Sequence, residues 1–375
     1  MNRRELLGSV VGLAAGAAAA GLTASNSASA QDSRAGGRLR KIATEEACSI
    51  PEVAEALGHV ARSTWDNLDM RLVNGIYNAP ADAPSVILQQ LLDIDAGRLA
   101  VMDENGVDMH LLSLTAPGVQ MFNADLGTEL AALANDRIAE AVRKHPTRFA
   151  GLATFAPQDP ARAVKEMERA INTLKLNGFI INSHTNNEYL DLPKYWPILE
   201  AAEALDAALY IHPRAPSDGM AAPFADYGME TAVWGYGMEV GTHAVRLMLS
   251  GVFDRFTKLK IVLGHMGEAV PFWLWRLDYM GAPGRAPGGA VRPHKRKPSE
   301  YFRENFAITT SGVEDHLALQ YCIDRIGVDN IMWAIDFPYQ PTTPAVAFMD
   351  SAPIPDTEKE KIAHGNAERI FHIRG

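Results

Sequence analysis

The chain has 375 residues, 47% of them hydrophobic, and a net charge of −10. That balance suits an acidic globular protein and disfavours nucleic-acid binding, which needs a basic face. The one short basic run, His294-Lys295-Arg296-Lys297, reads as a solvated loop, and the two cysteines, Cys48 and Cys322, match no CxxC or zinc-ribbon spacing.

The first thirty residues read as a targeting segment. Arg3-Arg4 precede a weakly apolar run over 10–22, and Ala28-Ser29-Ala30 follows. This is the plan of a twin-arginine export signal with a small-residue cleavage site. At about 13 residues the apolar run falls short of the roughly 20 that a bilayer span needs. The reading is therefore a signal peptide over 1–30, a flexible linker over 31–39 and a single domain over 40–375. The mature protein is expected in the periplasm and not embedded in a membrane.

Beyond the linker, short apolar runs alternate with helical periodicity. Strands are expected at 41–44, 109–114, 149–155, 178–182, 208–212, 260–264, 306–310 and 331–336. Helices are expected at 88–105, 126–145, 160–176, 195–205, 242–254 and 314–326. Eight strands with intervening helices and right-handed crossovers are what a closed parallel (β/α)8 TIM barrel requires. A doubly wound open sheet competes, but no GxGxxG follows the first strand. The stretches 51–84, 213–237 and 280–298 read as loops over the barrel mouth, where specificity resides.

Carboxylates and imidazoles stand at the strand exits. Glu45 lies on the first expected strand, His212 on the fifth and Asp336 on the eighth, and the carboxyl ends of parallel barrel strands converge on one face. An oxygen, a nitrogen and a second oxygen would leave coordination positions open, as a catalytic metal needs. Taken singly, each residue has a plainer reading, such as an aspartate capping a turn. His265 follows Gly264, and Glu268 three residues on can orient or charge-balance the ring. Asn182, ahead of His184, is the expected substrate contact at the fourth strand, whereas His243 falls inside a helical pattern and reads as structural.

Several strings taken together resemble the amidohydrolase-related non-oxidative decarboxylases, the group of gamma-resorcylate, 2,3-dihydroxybenzoate and aminocarboxymuconate semialdehyde decarboxylases. They are the nine residues from Leu112 to Gln120, the eight from Leu247 to Asp254, Gly264-His265-Met266-Gly267-Glu268 with Trp275-Arg276, and the run from Glu304 to Gly312. The likeness extends over 40–371. It implies an amidohydrolase-type barrel in which Glu45, His212 and Asp336 hold one divalent metal ion per subunit. It also implies that Asp336, His265 and Glu268 carry the catalytic proton, that Tyr339 lines the substrate pocket, and that Arg276 lies near that pocket or a subunit interface.

Many relatives carry Glu-x-His or His-x-His after the first strand, whereas this chain reads Glu45-Glu46-Ala47. Fewer nitrogens favour Mn2+ or Mg2+, with Zn2+ the lesser alternative. Gln340 stands where the family often has glutamate. The activity implied is non-oxidative decarboxylation of a small hydroxylated aromatic carboxylate, by a homo-oligomer, dimer or tetramer. Metal-dependent hydrolysis of an amide, ester or lactone on the same site is the alternative.

Overall fold

The computed structural model describes residues 38–79 and 83–373. The expected signal peptide and most of the linker lie outside the described residues. From Leu39 onward the described residues form one compact unit. Strands β1 (Ile42–Cys48), β2 (Met109–Leu114), β3 (Phe149–Thr154), β4 (Gly178–Asn182), β5 (Leu209–His212) and β6 (Ile261–Leu263) pair in sequence, each parallel to the next. A small antiparallel hairpin, β7 (Gly284–Arg285) and β8 (Val291–Arg292), then interrupts the loop expected over 280–298. The barrel resumes with β9 (Phe306–Thr309), which pairs with β6, and β10 (Ile331–Met332), which pairs with β9. The result is the expected eight-stranded parallel barrel wrapped in helices.

The strand residues sort by parity into two apolar compartments. Phe179, Ile181, Leu209 and Ile211 pack outward among the helices, while Ile180 and Tyr210 join Ile42, Val262, Ala307 and Met332 inside the barrel. This is the period of two that a strand imposes. Asn182 and His212 continue the inward parity of Ile180 and Tyr210, so the last residue of each strand delivers a polar group to the barrel mouth. At the opposite end, Ile370, Phe371 and Ile373 plug the interior.

The first and last barrel strands depart from expectation in a related way. β1 runs on to Cys48 and carries a bulge: Ala43 pairs with His110 but Glu46 pairs with Leu112, which leaves Thr44 and Glu45 together opposite Leu111. Such bulges re-aim side chains beside active sites. The ladder of β10 stops at Met332 because the next amides go elsewhere. Trp333 N donates to Ile362 O at 2.8 Å, Ala334 N to Thr310 Oγ1 at 3.2 Å, and Ile335 N and Phe337 N to the Glu46 carboxylate. Among the described residues no strand ladder joins β10 to β1. The seam is closed instead by Ala47 N donating to Phe337 O at 2.8 Å, by Thr44 Oγ1 donating to Trp333 O at 2.9 Å, and by Glu46.

Two expected helices are broken. The pattern over 88–105 is two helices, Val86–Leu92 and Ala96–Asn105, separated where Asp93 is extended and its Oδ1 accepts from Asp95 N at 3.0 Å. That local turn competes with the helix for the same amides. The pattern over 242–254 is Gly235–Leu249 followed by Val252–Arg255, with Gly251 between them at φ 81°. The stretch 51–84 contributes the helices Pro51–Ala61 and Asp69–Tyr77. Both cysteines are buried and free. Among the described residues no helix is long and apolar enough to cross a membrane.

Candidate metal centre

At the carboxyl end of the barrel, β1 presents Glu45, β5 presents His212, and the turn after β10 presents Asp336. One ligand atom from each lies within 4.8 Å of the others, and the three side chains are buried. Glu45 is 2% exposed. Its Oε2 accepts from Thr309 Oγ1 at 3.0 Å and from Ser311 Oγ, and the Tyr210 hydroxyl lies 3.0 Å from Thr309 Oγ1. Its Oε1 has no hydrogen-bond partner, although it lies 3.7 Å from His212 Nε2. A buried carboxylate oxygen left unpaired is costly unless something positive meets it. A cation among these atoms satisfies that oxygen.

The His212 ring is set for the same purpose. Its Nδ1 donates to Pro213 O at 2.8 Å and faces Asn182 Oδ1 at 3.1 Å. That fixes the tautomer and leaves the Nε2 lone pair toward Glu45 and Asp336, an arrangement common around metal-binding histidines. Asn182, expected to touch substrate, thus turns its side chain to the ligand imidazole, and its backbone is held by Gln120, whose Oε1 accepts from Asn182 N at 2.7 Å. The donor set of two carboxylates and one imidazole fits a hard divalent ion with positions left open.

His265 and Glu268 stand beside the ligands, as expected. His265 Nδ1 donates to Glu268 Oε1 at 2.7 Å, and Nε2 lies 3.9 Å from Glu45 Oε1 and 3.8 Å from Asp336 Oδ2. Burial alone would strip the ring of its proton, but Glu268, Glu45 and Asp336 together outweigh it and hold the imidazole well above its ordinary range. Burial acts the other way on Asp336, and with Glu45 nearby it raises that carboxyl against the pull of His265. Glu45 also suffers burial, yet His265, His212 and Ser311 keep it below the ordinary range.

The backbone here is unusual. His265, Met266, Gly267, Glu268 and Ala269 all have positive φ, and so does Asp336 at 75°. Such conformations persist only where their surroundings enforce them, and they gather at functional sites. Gly264 explains one part: a Cβ there would sit 2.8 Å from Glu45 Oε1 and 2.9 Å from Oε2. Only glycine lets β6 pass this close to the carboxylate.

A cavity of about 240 Å3 opens on His265, Glu268 and Asp336 and is walled by Trp234, Tyr236, Gly312 and Gln340. It is below the roughly 300–1,000 Å3 of sites for drug-sized ligands, and so suits a single small ring. Tyr339 donates its backbone N–H to Asp336 O at 2.9 Å, and its hydroxyl lies 2.6 Å from Thr115 Oγ1. Arg276 is not among the lining residues of that cavity. It lies on the helix Val270–Met280, in an outer groove of about 460 Å3 bordered by Trp273 and Met280 that meets the cavity only at Met238, Glu268 and Ala269. Sequence reasoning gave no role to Tyr210, Tyr236, Trp234 or Ser311. For Ser311 the signal was its place at the exit of the strand expected at 306–310, and for Trp234 and Tyr236 it was their place in the mouth loop expected over 213–237.

Comparison with known proteins agrees with this geometry. The family model described as "Amidohydrolase" matches residues 88–373. The gamma-resorcylate decarboxylase of Polaromonas sp. (strain JS666) is 36% identical over 342 residues, covering 89% of this chain and 98% of that protein. The crystal structure of 5-carboxyvanillate decarboxylase LigW from Sphingomonas paucimobilis is 58% identical, with a TM-score of 0.85, over 90% of this chain and 100% of that one. The 5-carboxyvanillate decarboxylase of Novosphingobium aromaticivorans, complexed with manganese and 4-hydroxy-3-methoxy-5-nitrobenzoic acid, is 38% identical with a TM-score of 0.85, over 89% and 96% of the two chains. The chain therefore belongs to the amidohydrolase family, in the branch that holds these metal-dependent decarboxylases.

Proposed function

We propose that the protein is a carboxy-lyase that uses one divalent ion, Mn2+ foremost, to remove carbon dioxide without oxidation from a benzoate bearing a hydroxyl beside its carboxylate. 5-Carboxyvanillate is the first compound to test. The observation that carries this reading is the open three-ligand set with His265 facing two of its members, in a chain 58% identical to a 5-carboxyvanillate decarboxylase. Glu45, His212 and Asp336 would hold the ion, which would supply stabilisation of negative charge on the substrate's oxygens.

The chain's own residues supply the proton. Asp336, with its carboxyl raised by burial, delivers a proton to the ring carbon that bears the carboxylate. The electron pair of the breaking carbon–carbon bond returns to the ring, and carbon dioxide departs. His265 replaces the proton on Asp336, and Glu268 keeps the imidazole charged and oriented. Trp234 and Tyr236 wall the cavity with aromatic surface against which a substrate ring can pack.

The test is reaction in D2O with a panel of hydroxylated benzoates and aryl esters. Carbon dioxide release with deuterium on the former carboxylate carbon is the expected result. In a parallel reaction in 18O-labelled water, product acids that carry 18O without carbon dioxide release would instead make the enzyme a hydrolase.

Two further proposals concern the whole chain. Residues 1–30 direct twin-arginine export to the periplasm, which a reporter fused to residues 1–31 checks: it should reach the periplasm and stay in the cytoplasm when Arg3 and Arg4 become lysine. The protein is also a homo-oligomer, supported by exposed aromatic residues on the helix Val270–Met280.

A further inference from the structure

We infer that Glu46 is a positioning residue of the metal centre: it holds the turn that carries Asp336 at a set distance from Glu45, across the seam where the barrel closes. Elsewhere around the barrel, backbone ladders fix the spacing of neighbouring strands. Between β10 and β1 that task is shared by one backbone bond, Ala47 N to Phe337 O, and the side chains of Thr44 and Glu46, of which Glu46 reaches the amides beside Asp336. Glu46 Oε1 accepts from Ile335 N at 3.0 Å and Oε2 from Phe337 N at 3.1 Å, so the carboxyl grips the amides on both sides of Asp336. Asp336 itself has a φ of 75°, in the left-handed region that residues with a Cβ seldom occupy.

Consecutive residues of an extended strand project to opposite faces. One segment of backbone therefore sends Glu45 toward the ion and Glu46 toward the Asp336 turn, which couples the two carboxylate ligands mechanically. The surroundings stiffen the grip. Arg98 donates through Nη2 to Ala47 O at 2.7 Å and stacks its guanidinium 4.8 Å from the centre of the Phe337 ring, so it ties both sides of the seam. Glu46 and His110 are fully buried, with His110 Nε2 4.0 Å from Glu46 Oε2. Charged or neutral, a carboxyl offers an oxygen to each amide. A carboxamide offers one oxygen and sets an NH2 group against the other N–H.

The experiment is calorimetric titration of metal-stripped protein with Mn2+, for wild type, Glu46→Gln and Thr44→Val, with thermal midpoints, kcat and KM alongside. Thr44→Val removes another seam bond, Thr44 Oγ1 to Trp333 O, without touching the amides beside Asp336. Glu46→Gln should weaken Mn2+ binding roughly 10- to 100-fold, the usual cost of losing a group that supports a metal ligand, and should lower kcat with little change in KM. Thr44→Val should lower the thermal midpoint while leaving Mn2+ affinity within about twofold of wild type. If Glu46→Gln does not fold, Glu46→Asp, which keeps both oxygens but retracts them, takes its place with the same expectation. Wild-type affinity in the Glu46 variant, or an equal loss in Thr44→Val, would overturn the assignment. The titration contains no substrate, so its outcome is independent of which reaction the enzyme performs.

Discussion

His265 is surrounded by acids: Glu268 bonds its Nδ1 at 2.7 Å, while Glu45 and Asp336 face its Nε2 from 3.9 and 3.8 Å. Burial works against the imidazolium, and Glu268 is the largest of the influences that restore it. A step that needs the charged ring runs at low pH and fails as pH rises through the ring's raised pKa. Glu268→Gln should therefore move the alkaline fall of kcat/KM to lower pH and cut kcat by roughly 100-fold, the scale of a lost acid–base group. Metal content should stay at the wild-type level, which elemental analysis checks. An unmoved alkaline limb would show that another group sets it. Glu45, His212 and Asp336 were legible in the sequence because three such side chains at the exits of barrel strands converge on one face, although each alone has a plainer reading. The contact between Asn182 and the His212 ring was not, since strand alternation fixes which face a side chain joins and not which neighbour it meets. Glu46 was noticed only as the middle residue of a motif whose third position, Ala47, lacks an imidazole, because its partners are backbone amides nearly three hundred positions away.

The helix Gly235–Leu249 is tied to the exit of β4 by a buried polar chain. His243 Nε2 accepts from Leu190 N at 3.1 Å, so Nδ1 carries the proton and donates to Ser183 Oγ at 3.3 Å, and Ser183 in turn donates to Glu239 Oε1 at 2.9 Å. Burial, with His184 and Arg246 nearby, pushes His243 down to about 3 from an ordinary 6.5. The unfolded chain thus binds a proton here that the folded chain refuses. The stability this site contributes is complete above pH 6.5 and is lost as pH falls toward 3. His243→Gln should cost roughly 1–3 kcal/mol at pH 7 through the broken chain. The gap between the two proteins in urea midpoint should narrow from pH 7 to pH 4, because the variant lacks the titration; a gap that widens toward acid would refute the neutral assignment. The strand-and-helix alternation was legible from periodicity. The break at Asp93 and the bulge in β1 were not: the first depends on a side chain capturing an amide two residues on, the second on a register that only the paired strand defines.

At the scale of the whole molecule, the helix Val270–Met280 poses a question of solvation. Leu274 is buried beneath it, yet Phe272, Trp273, Trp275 and Tyr279 are 68, 48, 65 and 70% exposed, and Trp275 stacks on Tyr279 with ring centres 5.4 Å apart. Single exposed apolar residues are ordinary, but a cluster of large aromatics on one helix marks an interaction surface. At roughly 25 cal/mol per Å2 of apolar surface, leaving several such rings in water forgoes several kcal/mol that a partner would recover. A second copy of this chain is the partner we favour, since a self-complementary patch closes on itself under twofold symmetry. The groove holding Arg276 borders the same helix and adjoins Glu268, so association here would also cover the outer flank of the His265–Glu268 pair. Light scattering during size exclusion should therefore give at least twice the monomer mass. The double variant Trp275→Glu and Tyr279→Glu should shift it to monomer, since burying two unpaired carboxylates opposes association far more than lost apolar area alone. Monomeric wild-type protein at micromolar concentration would refute the proposal. An oligomer undisturbed by the double variant would place its interface on another face and leave this aromatic surface to a different partner.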